Sequence, residues 1–402
     1  MSDEVNLMQA VHSNKSVIMQ FGTSRFLQAH VDFFVGESLA QGHSKSKVVI
    51  VQTSSSSSGK QRLAAFKKAS AYPVKIQGIQ GGEIVDETRY IDSIETGFQA
   101  DNEWDDIVTV FCQRVTHVVS NTADQGYVLE EDDHLQLTPP KSFPAKLLVL
   151  LSARFEVNAI PVTIMPCELV VNNGDVIKNL VLELAKQWSL SDAFLEWLQN
   201  QCLWVNSLVD RIVSESIDPI GAVAEPYALW AIENQPNLVL PCKHKAIRVL
   251  ENLEDAEFLK LGVLNLSHTF IVDTWRKLKA DGRLNDEIAQ VNTVFEAMEN
   301  PILRVAFETV LTDEVIPVLL AMDLNEDVTA YVDTVRERFL NPFLKHRLQD
   351  IEQNHVAKIE RRIMPIIKKG KQLLPNVSLT HLEACLSRNQ LSPSQNQLMG
   401  NK

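Results

Sequence analysis

The segment that most constrains the fold is residues 16–40, where a short apolar run, a glycine and an amphipathic stretch follow one another. Residues 16–22 read SVIMQFG, which is typical of a buried parallel strand. Residues 23–40 place apolar side chains at helical spacing. Strand, glycine and helix in this order begin a dinucleotide-binding βαβ unit, whose helix N-terminus faces the pyrophosphate. The residues of this loop that we expect to contact a nucleotide are Gly22, Thr23, Ser24 and Phe26.

The glycine pattern of this loop is incomplete. The motif GxGxxG requires glycine at position 24, where the chain has Ser24. A serine can still bond to phosphate, but its side chain crowds the approach of a ligand to the backbone. On the pattern alone, a nucleotide loop and an ordinary turn between a strand and a helix are both open interpretations.

Strands and helices alternate through the first half of the chain, which indicates a parallel sheet wrapped by helices. Residues 47–52, 116–122 and 160–169 are predicted strands, and residues 73–91 are a predicted hairpin around a QGG turn. We therefore expect an α/β Rossmann-type domain over residues 1–210. Polar residues at the ends of two strands lie where open α/β sheets bind ligands, although turn chemistry alone also explains them. These predicted cofactor-binding residues are Gln52, Ser120, Asn121 and Thr122.

The second strand does not end in the acidic residue that would bind the ribose 2′-hydroxyl of NAD. It ends at Gln52 and Thr53, and a run of five serines follows. NADP is therefore possible beside NAD, with Lys60 or Arg62 on the 2′-phosphate. A solvated helix start is the alternative interpretation of these two cations.

Helical periodicity dominates the second half. From about Asp210 strand-like runs become rare, and helical patterns continue to about Leu386. We predict a mainly α-helical substrate-binding domain over residues 211–402, with the active cleft between the two halves. The candidate helices are residues 255–279, 284–298, 302–320, 325–338 and 348–369.

One mostly apolar stretch in this half, KLGVLNLSHTF, keeps three polar residues: Lys260, Asn265 and His268. Burial of polar groups is costly unless they find partners, so the three are candidates for a site. An apolar pocket would lower the pKa of Lys260 and allow general acid–base catalysis. Asn265 and His268 could donate to a carbonyl oxygen that gains negative charge. A core helix with hydrogen-bonded polar residues is the alternative.

The spacing of these three residues raises a geometric problem. Asn265 and His268 are three apart and share one face of a helix. Lys260 lies five residues before Asn265, which is about 140° around an ideal α-helix. Lys260 must therefore lie before the first full turn or reach in along its stem.

A second polar group, Asn341, Lys345 and His346, surrounds a proline in RFLNPFLKHR. Asn341 before Pro342 could simply cap a helix. Lys345 could face an acidic substrate or only water.

The composition excludes several classes of function. The 402-residue chain has a net charge of −13, which argues against nucleic-acid or anionic-membrane partners. Its five cysteines are scattered, with no CxxC pair, as expected in a reducing compartment and without a zinc ribbon. The N-terminal residues lack the apolar core of a signal peptide, and no uncharged apolar run reaches membrane-spanning length. We therefore expect a cytoplasmic protein that acts on a small molecule.

Several segments together resemble one protein family. QFGTSRFLQAH looks like its nucleotide loop, and VVSNTADQGY, MPCELVVNNGDVIKNLV and WVNSLVDRIV look like its later sheet segments. EPYALWAIE and RFLNPFLKH resemble its helical-domain signatures. The spacing K-x4-N-x2-H, its catalytic signature, is met by Lys260, Asn265 and His268. Over nearly its whole length the chain resembles the polyol-specific long-chain dehydrogenases, also called the mannitol dehydrogenase family.

This resemblance implies a Rossmann-type domain, a helical substrate domain, NAD and no catalytic metal. Lys260 would be the acid–base catalyst, and Asn265 and His268 would hold the reacting oxygen. The resemblance also implies substrate-binding residues: Glu168, Asn341, Lys345 and His346. Glu168 is followed by Leu169, where polyol dehydrogenases of the family often have an asparagine.

The segments IQGIQGGEIVDETRYI and FPAKLLVLLSARF resemble the branch that acts on hexuronate-derived keto-sugar acids. The expected reaction is hydride transfer between a nicotinamide and such an acid, in the pair tagaturonate and altronate. A mannitol, mannitol-1-phosphate or fructuronate/mannonate dehydrogenase is an alternative. A nucleotide-binding protein without catalysis is the alternative from another class, suggested by Ser24.

Overall fold

The computed structural model of the chain describes residues 15–122, 126–282 and 288–391. Contacts between Cα atoms divide it into two compact units. Described residues within 15–76, 87–224 and 228–253 form the first unit. Those within 77–86, 225–227 and 254–391 form the second. Each unit therefore contains stretches that are distant in the sequence.

A six-stranded parallel sheet forms the centre of the first unit, in the order β5-β2-β1-β6-β7-β8. Chain order reverses between the neighbours β1 and β6, which is the topological switch point of the Rossmann arrangement. The strands are β1 (Val17–Phe21), β2 (Lys47–Gln52), β5 (Ile94–Gln99), β6 (Val115–Ser120), β7 (Thr163–Pro166) and β8 (Leu203–Trp204). All five residues of β1 are buried, as the apolar run predicts.

Helices connect these strands and build the core of the first unit with them. Apolar residues from β1 and β6 pack with those of the helices at residues 104–114 and 143–157. The helices are α1 (Arg25–Ala29), α2 (Val31–Ala40), α3 (Ser57–Lys68), α4 (Trp104–Arg114), α5 (Phe143–Val157), α6 (Asn173–Gln187) and α7 (Asp192–Asn200). The predicted α/β class of this region is confirmed.

The helical stretch predicted over residues 23–40 is two helices, because the backbone breaks at His30 with φ −121° and ψ −90°. The His30 ring is buried, stacks on Phe26 at 4.8 Å between centroids, and hydrogen-bonds to the carbonyl of Leu229 at 3.1 Å. A tertiary contact thus replaces helical continuity.

The other named strands form two smaller sheets, in the orders β10-β11-β3-β4 and β13-β12-β9. The predicted hairpin is confirmed, since β3 and β4 are neighbours and flank a two-glycine turn. The expectation that strands become rare after Asp210 is wrong for the next forty residues, where four short strands occur. The strands of both sheets are β3 (Tyr72–Gln80), β4 (Glu83–Ile91), β9 (Ser207–Asp210), β10 (Val213–Ser216), β11 (Ala222–Ala224), β12 (Leu229–Glu233) and β13 (Ile247–Leu250).

The second unit is mainly helical, as predicted, and buries one large apolar cluster. Two π-helices, Lys260–Asn265 and Val310–Val315, interrupt its α-helices. The α-helices are α8 (Glu254–Leu259), α9 (Leu266–Asp281), α10 (Val294–Glu299), α11 (Pro301–Thr309), α12 (Ile316–Ala321), α13 (Val328–Phe339), α14 (Leu348–Glu352), α15 (His355–Arg362), α16 (Met364–Leu373) and α17 (Thr380–Arg388).

Some sequence predictions concern residues outside the described ranges. They include the signal-peptide argument for residues 1–14, the start of the helix at 284–298 and the end of the predicted domain from residue 392. Within the described ranges, no helix has both the length and the apolar character needed to cross a membrane.

Candidate active site

The loop after β1 turns beside the end of β6 in the first unit. Gly22 adopts φ +122°, and a Cβ atom at this position would lie 2.9 Å from the carbonyl oxygen of Asn121. The Asn121 amide donates to the carbonyl of Phe21 at 3.1 Å, and the Gly22 amide donates to that of Val51. Only glycine fits both the backbone conformation and this close approach. The predicted residues Gly22 and Asn121 therefore meet at the switch point of the sheet.

Thr23 and Gln52 are joined by a hydrogen bond, although they are 29 residues apart. The Thr23 hydroxyl donates to Gln52 Oε1 at 2.7 Å. Gln52 Nε2 donates to the hydroxyl of Ser54 at 2.7 Å, so both ends of this amide are engaged. Arg62 Nε donates to the Thr23 hydroxyl at 3.3 Å. These contacts tie the loop after β1 to the end of β2.

Ser24 begins helix α1. Its hydroxyl accepts a hydrogen bond from the amide of Leu27 at 3.3 Å, which is an N-cap contact. Its backbone has φ −66° and ψ 152°, a conformation open to any residue. The absence of a second glycine therefore does not strain this loop.

Glu168, which is 4% exposed, ties the end of β7 to the end of β6. One carboxylate oxygen accepts from the hydroxyls of Ser120 at 3.0 Å and Tyr127 at 3.3 Å. The other accepts from the amide of Thr122 at 3.0 Å and from its hydroxyl at 2.9 Å. Burial and then the Glu168 charge raise the pKa of Tyr127 far above its usual value, so its hydroxyl stays protonated as a donor. Glu168 thus orders the predicted strand-end residues.

The catalytic segment predicted in the second unit forms a π-helix from Lys260 to Asn265 between α8 and α9. In a π-helix each amide bonds to the carbonyl five residues earlier, so residues five apart lie about one turn apart. Lys260 and Asn265 therefore share one side of the helix, which removes the 140° problem. His268 follows three residues later. Lys260 and Asn265 are half-buried and His268 is buried.

His268 lies among aromatic rings and cations. Its ring centroid is 4.3 Å from that of Phe339 and 4.7 Å from that of His346. Burial, with smaller effects of His346 and Arg338, holds the pKa of His268 well below its usual value. Burial likewise lowers the pKa of His346 to about 4. Both imidazoles are therefore neutral near pH 7.

The side-chain amide of Asn265, at the end of the π-helix, is not used in the hydrogen bonds around it. The His268 ring donates a hydrogen bond to the main-chain carbonyl of Leu264. Within the described part of the chain, the Asn265 side chain makes no hydrogen bond. The Asn265 amide group is thus available to a ligand.

Of the second polar group, His346 contacts His268, whereas the Asn341 side chain bonds to the backbone of two other residues. Asn341 donates to the carbonyl of Gln77 at 3.0 Å and accepts from the Phe343 amide at 3.0 Å, which forms an Asx turn. No helix starts there, because α14 begins at Leu348. Lys345 is exposed.

Sequence reasoning gave no role to two arginines near His268. Arg338 pairs with Glu225 through two hydrogen bonds of 2.9 and 2.8 Å, both side chains being buried, and its guanidinium lies 4.4 Å from the Tyr227 ring centroid. Arg362 contacts the π-helix itself. Arg338 lies in the segment RFLNP and Glu225 in the segment EPY, which contribute to the family resemblance without a role for either residue. No sequence signal marks Arg362.

Metal ligands do not cluster in the part of the chain that the structure describes, where no group of three or more His, Cys, Asp and Glu could hold an ion. The five cysteines are all free and buried.

Two family profiles match the chain. The mannitol dehydrogenase Rossmann domain matches residues 16–240, and the mannitol dehydrogenase C-terminal domain matches residues 252–388. The chain belongs to the mannitol dehydrogenase family. Both the predicted family and the predicted fold class are confirmed.

Relatives within the mannitol dehydrogenase family include the altronate oxidoreductase of Halalkalibacterium halodurans, 34% identical over 87% of this chain and 69% of that protein. The altronate oxidoreductase of Bacillus subtilis is 30% identical over 88% of this chain and 74% of its own length. Among solved structures, a substrate-free D-sorbitol dehydrogenase covers 94% of this chain and 80% of its own, with a TM-score of 0.78. Pseudomonas fluorescens mannitol 2-dehydrogenase, a ternary complex with NAD and D-mannitol, covers 94% and 79% with a TM-score of 0.70. At 18% identity these two structures show the shared fold.

Proposed function

We propose that this member of the mannitol dehydrogenase family is an NAD-dependent oxidoreductase that interconverts tagaturonate and altronate. The observation that carries the proposal is the π-helix, which puts Lys260 and Asn265 on one side with His268 one turn beyond. The altronate oxidoreductases among its relatives support the choice of substrate.

NAD, when bound, would supply or accept the hydride at its nicotinamide ring. The tight approach of Gly22 to Asn121 supports a nucleotide at the switch point, because ligands of open α/β sheets bind there. Arg62 is engaged with Thr23, which favours NAD over NADP. The residues that we propose for the cofactor are Gly22, Thr23, Ser24, Phe26, Gln52, Ser120, Asn121 and Thr122.

In the reductive direction, hydride reaches the carbonyl carbon and the C=O electron pair moves onto oxygen. Lys260 donates its proton to that oxygen, and Asn265 donates a hydrogen bond from its amide nitrogen. His268 is neutral and has one nitrogen on the Leu264 carbonyl, so its other nitrogen accepts the hydrogen of the product hydroxyl. In the oxidative direction Lys260, as the free amine, takes the proton back.

The rest of the sugar acid, its other hydroxyls and its carboxylate, needs further partners. We propose Glu168, Asn341, Lys345 and His346 for this role. His346 has the clearest support, because its ring lies 4.7 Å from that of His268. We place the reaction in the cytoplasm, since all five cysteines are unpaired thiols.

A substrate panel tests the proposal. Oxidation of NADH and of NADPH is followed with tagaturonate and fructuronate, and reduction of NAD⁺ with altronate, mannonate, mannitol and mannitol 1-phosphate. We expect the highest kcat/KM for tagaturonate and altronate, with NADH favoured over NADPH. A higher kcat/KM for mannitol or its phosphate would overturn the substrate assignment. Cofactor binding without turnover on any of these compounds would overturn the enzyme assignment.

A further inference from the structure

Arg362, the last residue of helix α15, lies against the π-helix of the second unit. Resting on the function proposed above, we propose that Arg362 binds the carboxylate of the sugar acid and makes the enzyme select an acid over the neutral sugar. The proposal assigns a substrate group to a residue with no role in the hydride or proton transfer.

The position of Arg362 is fixed by two hydrogen bonds. Its Nη1 donates to the main-chain carbonyl of Asn265 at 3.3 Å and to the hydroxyl of Thr269 at 3.0 Å. Residues 265, 268 and 269 share one face of a helix, because they are three and four apart. The guanidinium therefore lies on the face that carries Asn265 and His268.

Arg362 has unused donors at this position. A guanidinium has five N–H groups in a fixed fork. Its Nε atom is buried and, within residues 15–122, 126–282 and 288–391, has no hydrogen-bond partner. Both hydrogen bonds of the side chain use Nη1, which leaves the edge formed by Nε and Nη2. That edge is one to which a carboxylate binds through two parallel hydrogen bonds.

The charge of Arg362 also lacks a counter-ion among the described residues. Burial lowers the pKa of its guanidinium to about 10, so it is still a cation at neutral pH. A half-buried cation without a partner is costly, and proteins retain such groups where they pair with something. An anionic substrate supplies the missing partner.

The neighbouring basic side chains would not compete with Arg362 for an anion. Arg338, the other arginine near His268, is already neutralised by Glu225 at 2.8 Å. His268 and His346 carry no charge near pH 7. His346, whose ring lies 4.7 Å from that of His268, also has a buried Nδ1 atom without a partner in the described chain.

The experiment compares two substrates that differ at a single group. Tagaturonate carries a carboxylate where D-tagatose carries a neutral CH₂OH group. The kcat/KM of each is measured for the wild type and for Arg362→Met, Arg362→Lys and Arg361→Met. Arg361 is the matched control, because it is the adjacent arginine and is exposed.

We expect Arg362→Met to lower the ratio of kcat/KM for tagaturonate to that for tagatose by about 10²–10³-fold, mainly through KM, as for one lost partner of a buried ion pair. Arg362→Lys, which keeps the charge and loses the fork, should recover part of the ratio. Arg361→Met should keep the wild-type ratio. An equal loss for both substrates would overturn the proposal, because it would show that Arg362 only positions the π-helix. A wild-type ratio in Arg362→Met would overturn it as well.

A binding measurement separates this proposal from the proposed function. Titration of altronate into the enzyme with NADH gives no turnover, so calorimetry reports affinity alone. Altronate that binds the wild type and not Arg362→Met supports the carboxylate site, even if the substrate panel shows no activity with sugar acids. Equal affinity in both proteins, or none in the wild type, overturns the site whatever the panel shows.

Discussion

The strand-end loops of the first unit and the π-helix of the second unit use polar side chains in opposite ways. In the loops the side chains bond to one another, as Thr23 does to Gln52 and Thr122 to Glu168. At the π-helix, the Asn265 amide and Arg362 Nε have no hydrogen-bond partners in the described chain.

This difference is the one expected from the roles that we propose for the two regions. A loop at the end of a parallel strand presents its backbone amides to a phosphate, and its side chains only have to hold that backbone in place. An acid–base site needs side chains that are still free to bond the reacting groups. Side chains bonded to one another are therefore expected in a binding loop, and side chains with unused donors are expected at a site of chemistry.

The largest expected effect concerns Lys260 at the start of the π-helix. Lys260→Ala should lower kcat by about 10²–10⁴-fold, because general acid–base catalysis by a positioned group contributes that much. Steady-state turnover of tagaturonate with NADH measures it. Lys277→Ala is the control, since Lys277 is an exposed lysine on α9. Turnover close to that of the wild type in Lys260→Ala would remove this lysine from the reaction.

Asp32 in the first unit differs from the strand-end side chains, because one of its carboxyl oxygens has no hydrogen-bond partner among the described residues. Burial raises the pKa of Asp32 to about 8, against the opposing hydrogen bond from the Tyr72 hydroxyl. Asp32 Oδ1 lacks a hydrogen-bond partner among the described residues, so no donor there stabilises the ionised carboxylate.

Between about pH 4 and pH 8 the folded protein therefore binds one more proton than the unfolded chain at Asp32, so this residue's contribution to stability is lost as pH rises. Asp32→Asn should gain stability relative to the wild type across this window, by at most about 1.4 kcal/mol per pH unit. Urea unfolding at pH 5 and pH 8 measures the gain. Parallel pH profiles of the two proteins would contradict a protonated Asp32.

Gly22→Ala tests the backbone of the binding loop. The new Cβ would meet the Asn121 carbonyl at 2.9 Å, and the backbone at φ +122° would be strained, so we expect a loss of about 1–3 kcal/mol in NADH binding or stability. Nicotinamide fluorescence and thermal unfolding measure the two quantities. Gly42→Ala is the control, because Gly42 has φ +71° with no atom within 4 Å of the added Cβ. Equal effects of the two substitutions would show that the approach to Asn121 does not matter.

The smallest expected effect concerns Ser24. Ser24→Ala loses the N-cap and should cost about 1 kcal/mol of stability, whereas Ser24→Gly should cost only a few tenths. Chemical unfolding compares the two variants, and NADH titration shows whether a second glycine alters affinity. Markedly tighter NADH binding by Ser24→Gly would mean that the serine crowds the cofactor.

The sequence predicted the large elements because each has a strong local signal. Buried parallel strands are continuous apolar runs, as in residues 17–21, and their alternation with helices indicates the sheet. The four strands after Asp210 gave weaker signals, since they have three to five residues each. β11 pairs with β3 in parallel, Ala222 opposite Val74, and such a distant partner leaves no local pattern.

The candidate site was predictable in its residues and not in its geometry. Lys260, Asn265 and His268 were found by their polarity in an apolar stretch. Their arrangement depends on a π-helix, which ordinary helical periodicity does not indicate. The sequence does not mark Arg362, because two adjacent arginines in a helical segment are usually solvated and nothing local shows that only Arg361 is exposed.

The discontinuous make-up of the second unit limits how the chain can be dissected. The turn of the β3–β4 hairpin donates from the Gly81 and Gly82 amides to Glu337, at 3.1 and 2.7 Å. The buried counter-ion of Arg338, Glu225, likewise comes from a three-residue insert earlier in the chain. A fragment that starts at residue 254 would leave that arginine uncompensated, which costs about 3–5 kcal/mol for a buried pair. Chimaeras between relatives therefore need to transplant the hairpin turn and the Glu225 insert together with the C-terminal helices.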